Sequence, residues 1–416
     1  MPDVRLKGFQ KYHRINEILP KFLNQISELP KERILTEKSL RRIVATDIIS
    51  QRNVPHFSRS AMDGFALRSE DTFEASSHNP RQLRVVGKIG AAENSTEVIK
   101  SKEAIQVSTG SPIPKGADAV IKLENIKRLE KSIVVHFPVA PGQNISKIGE
   151  DVKKGDLLLL KGHFIRPQDI ALLLVCGITD LSVTRRPKIA IFPTGSELIA
   201  PGTKPEIGKV IESNSYSIAA LCEIYGGIPS RFDVVSDNLE ALLNAIENGK
   251  TFDIIIFSGG TSVGEYDLLP SVINSCKNGK IFAHGFAIRP GSPACIGFIA
   301  NTPIFCLPGF PVATMISFEI FVRPTIRKML GAKELDPRPL IQAELTKKIP
   351  SALGRRDFVR VTIQKKDSRI LTTPTRLKGS GIISSMVKSD GIIEIPEDIE
   401  GLEKGTIVAV RQFPTW

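Results

Sequence analysis

Eleven residues, FSGGTSVGEYD (257–267), follow three consecutive isoleucines at 254–256. Gly259 and Gly260 open the backbone, Ser262 supplies a hydroxyl, and Glu265 and Asp267 supply carboxylates. A buried strand that ends in glycines, hydroxyls and acids can hold a phosphate. Its free N–H groups face the anion, and an acid beside them can hold a divalent cation. The same letters build an ordinary strand-to-helix turn, because Ser262-x-x-Glu265 matches a capping box in which the acid only closes the first helical turn. Two further apolar runs end in similar fashion. One is IAIFPTGSELI (189–199), where Thr194-x-x-Glu197 is a second capping-box match; the other is IFCLPGFPVA (304–313), which carries Pro308 and Pro311. Ligands of open parallel sheets bind beyond the carboxyl ends of the strands, so three such turns predict a convergent anion pocket. The Lys of a Walker loop and the G-x-G-x-x-G of a dinucleotide fold are both absent.

Other stretches are weaker alone. AIRPGSPACIG (287–297) puts Arg289 before a rigid Pro-Gly turn; the guanidinium fork suits oxyanions, and a surface Arg before a turn reads the same way. SRSAMDGFA (58–66) contains Asp63, which reads either as part of a Ser60-x-x-Asp63 cap or as an Asp-Gly turn. QVSTGSPIPKGADAV (106–120) and QNISKIGEDV (143–152), the latter ending on Glu150 and Asp151, read as turns.

The elements that must position these residues follow from pattern. From residue 185 onward, apolar runs at 188–192, 253–257, 294–299 and 304–307, with a strand-like stretch at 230–235, alternate with helical periodicity at 213–225, 239–247, 268–276 and 311–330. That alternation predicts βαβ units around a mostly parallel sheet. Short β-branched runs among Gly and Pro at 50–140 predict a small β-rich domain, and 340–416 alternates in the manner of a second one. Residues 11–49 read as helices, 167–176 as another, and 331–339 as a linker. The 416 residues suffice for two to four domains.

Composition narrows the class. Charged residues occupy the N-terminus where a signal peptide needs an apolar stretch, and no run approaches the roughly 18 apolar residues of a membrane span, so a cytoplasmic protein is expected. Five cysteines without a C-x-x-C pair argue for reduced core thiols rather than zinc or disulfides. The net charge of +12 suits an anionic partner. Because the basic residues are dispersed and aromatics are 6%, a polyanionic small molecule fits better than nucleic acid.

In order along the chain, PHFSRSAMDGFAL, VSTGSPIPKGADAVIKLE, PGQNISKIGEDVKKGD, RRPKIAIFPTGSELIAPG, FSGGTSVGEYD, IRPGSPACIG, LPGFPVA and GSGIISSMVKSDGIIEIPED resemble the MoeA family, the molybdopterin molybdenumtransferases that include the E domain of gephyrin. The resemblance spans roughly residues 16–410. It implies a multidomain α/β plus β protein with a central three-layer α/β/α, MogA-like domain at 184–333. It further implies a small β-rich domain at 50–140, a helical and extended linking domain at 1–49 and 141–183, and a C-terminal β-barrel-like domain at 337–416. A homodimer would set the α/β domain of one subunit opposite the small β domain of the other. The implied reaction takes adenylylated molybdopterin and molybdate, releases AMP and uses a divalent cation, usually Mg²⁺; a MogA-type adenylyltransferase is an implied partner. Carried over by motif position, the catalytic candidates are Asp63, Thr109, Asp151, Glu197, Asp237 and Asp267, with Glu197 and Asp267 the metal ligands. Substrate-binding candidates are Gly259, Gly260, Ser262, Arg289, Pro308, Pro311, Arg355, Arg360 and Ser380.

Four departures stand out. Ser292 replaces the family Lys of P-G-K-P, Ser196 an Asp, Phe310 the Asn of L-P-G-N-P, and Ser58-Arg59 an Asp-Asn or Asp-Arg pair. Loss of the Lys charge leaves two alternatives open, a tungstate-inserting paralogue and a non-catalytic molybdopterin-binding scaffold.

Overall fold

The computed structural model describes residues 12–91, 93, 96–260, 268–376 and 379–414. Its centre is a six-stranded sheet in the order Ile228–Arg231, Lys188–Pro193, Ile254–Ser258, Thr302–Leu307, Cys295–Ile299, Gly279–His284. The first four strands are parallel and the last two pairings antiparallel. Ile189, Ile191, Ile254 and Ile256 face a core shared with helices Asn214–Ile224 and Pro311–Ser317. Ala190, Phe192, Ile255 and Phe257 face the opposite core against helices Leu239–Gly249 and Leu269–Ser275. Burial on both faces explains why these strands read as continuous apolar runs rather than alternating ones. Among the described residues no helix is long and apolar enough to cross a membrane.

The chain forms two other six-stranded sheets. One, ordered Ala119–Lys122, Gly64–Leu67, Glu103–Val107, Arg81–Ile89, Ser132–Val135, Ile126–Arg128, has its own apolar interior around Phe65, Leu67 and Ile121. In the other, Arg356–Lys366, Arg369–Arg376, Leu340–Leu345, Ile407–Gln412 and Gly391–Ile395 close into a small barrel, since Gly391–Ile395 pairs back onto Arg356–Lys366. Val359, Val361, Val408 and Val410 fill it.

Residues 11–49 depart from the helical expectation. Among the described residues of this stretch only Ile15–Leu23 is α-helical, and its Phe22 packs among Phe282, Phe298 and Phe305 at ring distances of 4.7 to 5.6 Å, so it belongs to the α/β core. Lys31–Leu35 is a strand whose antiparallel partner, Asp180–Thr184, lies far downstream. Local periodicity carries no trace of so distant a pairing. A separate core around Val44, Ile165, Leu173 and Val183 holds this linking region together.

The barrel is fastened to the α/β layer by a buried charge network. Helix Pro311–Ser317 passes through a π-helical segment, Phe318–Val322, which carries the buried Glu319. Glu319 accepts hydrogen bonds from Tyr225 at 2.8 Å and Arg323 at 3.0 Å and pairs with Arg338 at 3.1 Å. Asp336 pairs with Arg338 at 2.8 Å and with Arg411, on the barrel, at 3.1 Å. Burial, reinforced by Glu319, pushes the Tyr225 hydroxyl well above its ordinary range.

The linking region carries its own acid-sensitive contact. Asp169, at the start of helix Pro167–Val175, accepts the Arg166 N–H at 2.8 Å and contacts His163 Nε2 at 2.7 Å. Burial alone would raise its carboxyl, but hydrogen bonds from Arg166 and His163 outweigh burial and hold it at about 2. A depressed carboxyl stabilises the fold above its unfolded value and loses that contribution as pH falls towards the folded one. Asp169→Asn is therefore expected to cost about 1 to 2 kcal/mol at pH 7, discounted for the half-exposed Arg166, in urea unfolding. The gap to the parent protein should shrink between pH 4 and 2, at about the rate one carboxylate dictates.

Candidate functional site

The strand order places a topological switch point. From Lys188–Pro193 the chain moves to Ile228–Arg231 on one side and then to Ile254–Ser258 on the other, opening a crevice between the first and last of these. The predicted turns border it. Thr194 N–H donates to the Ser258 carbonyl, and Gly259 N–H to the Leu307 carbonyl, each at 2.9 Å. Gly259 has φ +109°, and a Cβ there would lie 2.4 Å from the Thr194 carbonyl oxygen, so only glycine fits. Gly260 is also left-handed, at φ +62°. Asn214 Nδ2 donates to the Gly309 carbonyl at 2.7 Å, fastening the Pro308-Gly309 turn to helix Asn214–Ile224. The buried hydroxyls of Thr194 and Ser258 have no hydrogen-bond partner among the described residues. The 308–310 turn runs straight into a helix, with Pro311 as its first residue.

The capping-box alternative for Glu197 fails. Leu198–Ile199 is a short strand parallel to Val210–Ile211, and the next helix begins only at Asn214. Glu197 is exposed and folds back over Gly195, where a Cβ would meet its carboxylate at 2.6 Å. Asp237 stands close by. Burial raises its carboxyl and the Glu197 charge raises it further, against a hydrogen bond with the Ser196 backbone. A carboxyl held up in this way beside a second carboxylate could share a cation with it. Among the described residues no group of three or more His, Cys, Asp or Glu could hold a metal ion. Ser262, Glu265 and Asp267 lie outside the described residues, as does the capping alternative for Ser262 and Glu265.

A second concavity of about 480 Å³ lies where the barrel meets the α/β layer, lined by Arg289, Ser292, Arg355, Arg360 and Ser380 among others. Pro308 and Phe310 line it too, so the 308–310 turn is a wall shared with the switch point. Strand Ile288–Arg289 pairs in parallel with Arg356–Asp357 at the start of barrel strand Arg356–Lys366, which carries Arg289 into the cleft. Arg360 is 4% exposed; one guanidinium nitrogen donates to the Arg376 carbonyl at 3.2 Å, while Nε and Nη1 have no partner among the described residues. Burial, then the neighbouring Arg376 charge, lowers its affinity for its proton. The Ser380 carbonyl accepts from Val312 N–H at 3.0 Å, docking the barrel's loop on helix Pro311–Ser317.

Asp63 and Thr109 come together elsewhere. The Ser60-x-x-Asp63 cap does not exist, because Gly64–Leu67 is a strand; Asp63 Oδ1 instead accepts the Thr109 N–H at 2.7 Å. This pair sits on the small β-rich sheet, whose core is separate from that of the switch point. Asp151 is exposed in the linking region and donates its N–H to Val54. Sequence reasoning overlooked Asp357, which is fully enclosed and holds Arg289, Arg355 and Ser351. It also overlooked Asn214, and treated Phe310 only as a departure, although its ring is 64% exposed at the cleft wall.

Comparison with known proteins covers almost the whole chain. Family models match as the MoeA N-terminal region (domain I and II) at residues 13–177, a probable molybdopterin binding domain at 190–328, and the MoeA C-terminal region (domain IV) at 342–413. A molybdopterin molybdenumtransferase of Staphylococcus aureus is 33% identical over 95% of this chain and 94% of its own. A putative molybdopterin biosynthesis protein of Methanocaldococcus jannaschii is 36% identical over 97% of each. The crystal structure of a molybdopterin biosynthesis moeA protein from Pyrococcus horikoshii superposes with a TM-score of 0.86 at 35% identity, covering 97% of this chain and 100% of that one.

Proposed function

This chain belongs to the MoeA family, and from that premise we propose that it binds molybdate in the arginine cleft and adenylylated molybdopterin at the switch point, joining them with release of AMP. The protein is a molybdopterin molybdenumtransferase of molybdenum cofactor biosynthesis. The relatives' names favour metal insertion over a scaffold role.

The observation that carries the reading is Arg360. A buried guanidinium with two unpartnered nitrogens is costly unless an anion arrives to accept from them. At the switch point, the left-handed Gly259 and Gly260 let backbone approach the substrate's phosphates. The unpartnered Thr194 and Ser258 hydroxyls could donate there. The shared 308–310 wall keeps the two ligands adjacent. A divalent cation, Mg²⁺ by preference for hard oxygen ligands, fits Glu197 and Asp237 together with substrate phosphate oxygens. It would neutralise charge as oxyanion and phosphoanhydride approach. Asp267 remains a proposed ligand beside Glu197, and Ser262 a proposed phosphate contact.

We assign Asp63, Thr109 and Asp151 to the same site in a homodimer, in which the partner's small β-rich sheet faces the switch point. Exposed apolar side chains on the linking region, including Ile49, Leu157, Leu174 and Val175, support such an interface. A cytoplasmic setting suits the five free thiols. The direct test mixes the protein with adenylylated molybdopterin and follows AMP by chromatography. Release should require both molybdate and Mg²⁺. Tight pterin binding without AMP release under those conditions would instead favour a scaffold.

A further inference from the structure

The three guanidiniums of the cleft are held in two different ways. Arg360 stands without an acid. Arg289 and Arg355 both end on one carboxylate: Arg289 Nη2 donates to Asp357 Oδ2, and Arg355 Nε to Oδ1 at 3.1 Å. The Ser351 hydroxyl donates to Oδ2 at 2.8 Å. Asp357 has no exposed surface. Its partners come from two domains, since Arg289 belongs to the α/β layer and the others to the barrel. Backbone pairing fixes the join, with Arg356 N–H donating to the Ala287 carbonyl at 2.8 Å.

A carboxylate in an anion cleft opposes the ligand's charge. It is also a poor source of stability, because desolvating an ion pair costs about what the pairing returns. Two effects do follow from it. An arginine has many rotamers, and a bidentate hold on an oxyanion needs the fork already aimed; anchoring two forks on one enclosed acceptor supplies that aim in advance. Among the described residues lining the cleft, the carboxylate also reduces three positive charges to two.

We propose that Asp357 is a positioning residue that aims Arg289 and Arg355 at one anion and sets the cleft's charge to match a dianionic tetrahedral oxyanion. The proposal rests on the reading of this cleft as the oxyanion site. Without the carboxylate the forks lose their common anchor. The anion then meets an extra positive charge, which adds undirected attraction for every anion and more of it for a dianion, so the loss of preference for molybdate comes from the lost aim of the forks and not from the charge. Affinity becomes less selective and more dependent on salt.

The test is calorimetric titration of the full-length protein with molybdate and with perchlorate, a tetrahedral monoanion, at fixed ionic strength. Parent protein, Asp357→Asn and Arg360→Met are compared. The parent is expected to prefer molybdate at least tenfold. Asp357→Asn should cut that preference by about tenfold, through weaker molybdate and stronger perchlorate binding, with a steeper fall in affinity as salt rises. Arg360-dependent molybdate binding with an unchanged preference in Asp357→Asn overturns the proposal alone. Absence of any Arg360-dependent molybdate binding in the parent overturns the oxyanion reading and the proposal with it. If Asp357→Asn does not fold, Ser351→Ala decides. Losing one bond to the same Oδ2 should weaken molybdate several-fold at unchanged melting temperature, and unaltered affinity overturns the proposal.

Discussion

Arg360→Met is expected to raise the molybdate concentration for half-maximal AMP release by about 100-fold or more while leaving the melting temperature of the ligand-free protein equal or higher. The opposite signs come from one fact: the guanidinium is buried with two nitrogens unpartnered among the described residues. Without an anion that arrangement is a desolvated charge beside Arg376, and an apolar side chain of similar length relieves it. With the anion present, charge-assisted hydrogen bonds contribute roughly 1.5 to 3 kcal/mol each, so losing two of them removes about two to four powers of ten in affinity. A ligand that binds only the folded state stabilises it by RT ln(1 + [L]/Kd). Molybdate should therefore raise the melting temperature of the parent protein and not that of the variant. A variant that melts lower and still gains stability from molybdate would mean that Arg360 serves the barrel rather than the ligand.

The central sheet was legible because burial on both faces forces unbroken apolar runs, and residues 189–192 and 254–257 have them. The edge strand was not. Ile228–Arg231 has the sequence IPSR, with Ile228 largely exposed and Pro229 tolerated at an edge, so the apolar signal shifted attention to 230–235. Lys31–Leu35 was misread for a different reason, since its partner lies across an entire intervening domain. The site divides along the same line. Glu197, Gly259 and Gly260 follow apolar runs and were visible as strand-end chemistry. Asp357 was not, because RRDF reads as a solvated charge run. Only the pairing of Ile288–Arg289 with Arg356–Asp357 shows that the acid is enclosed and shared between domains. Arg355, Arg360 and Ser380 entered through family resemblance, as nothing in their local pattern marks a ligand.

Glu197→Gln is expected to lower molybdate-dependent AMP release by about 10² to 10³-fold, with molybdate binding unchanged. Glu197 is exposed and holds no helix cap. Its removal should therefore shift stability by less than about 0.5 kcal/mol. What the substitution removes is charge at the crevice, where it faces Asp237. Compensation of the substrate's negative charge there is worth several kcal/mol in the transition state, which is the expected loss of rate. The concentration of Mg²⁺ for half-maximal release should rise in the same variant, a shift that a residue acting only through the fold would not produce. Asp237→Asn should follow in the same direction, and the double variant should lose less than the sum, because both act on one bound charge. Full additivity would mean that the two acids do not act on one bound charge, and unaltered release in Glu197→Gln would remove Glu197 from the reaction. Arg360 lines the arginine cleft and Glu197 does not, although Pro308 and Phe310 of the turn beside the switch point line that cleft too. Arg360→Met and Glu197→Gln should thus fail in distinguishable ways, the first in molybdate affinity and the second in turnover at saturating molybdate.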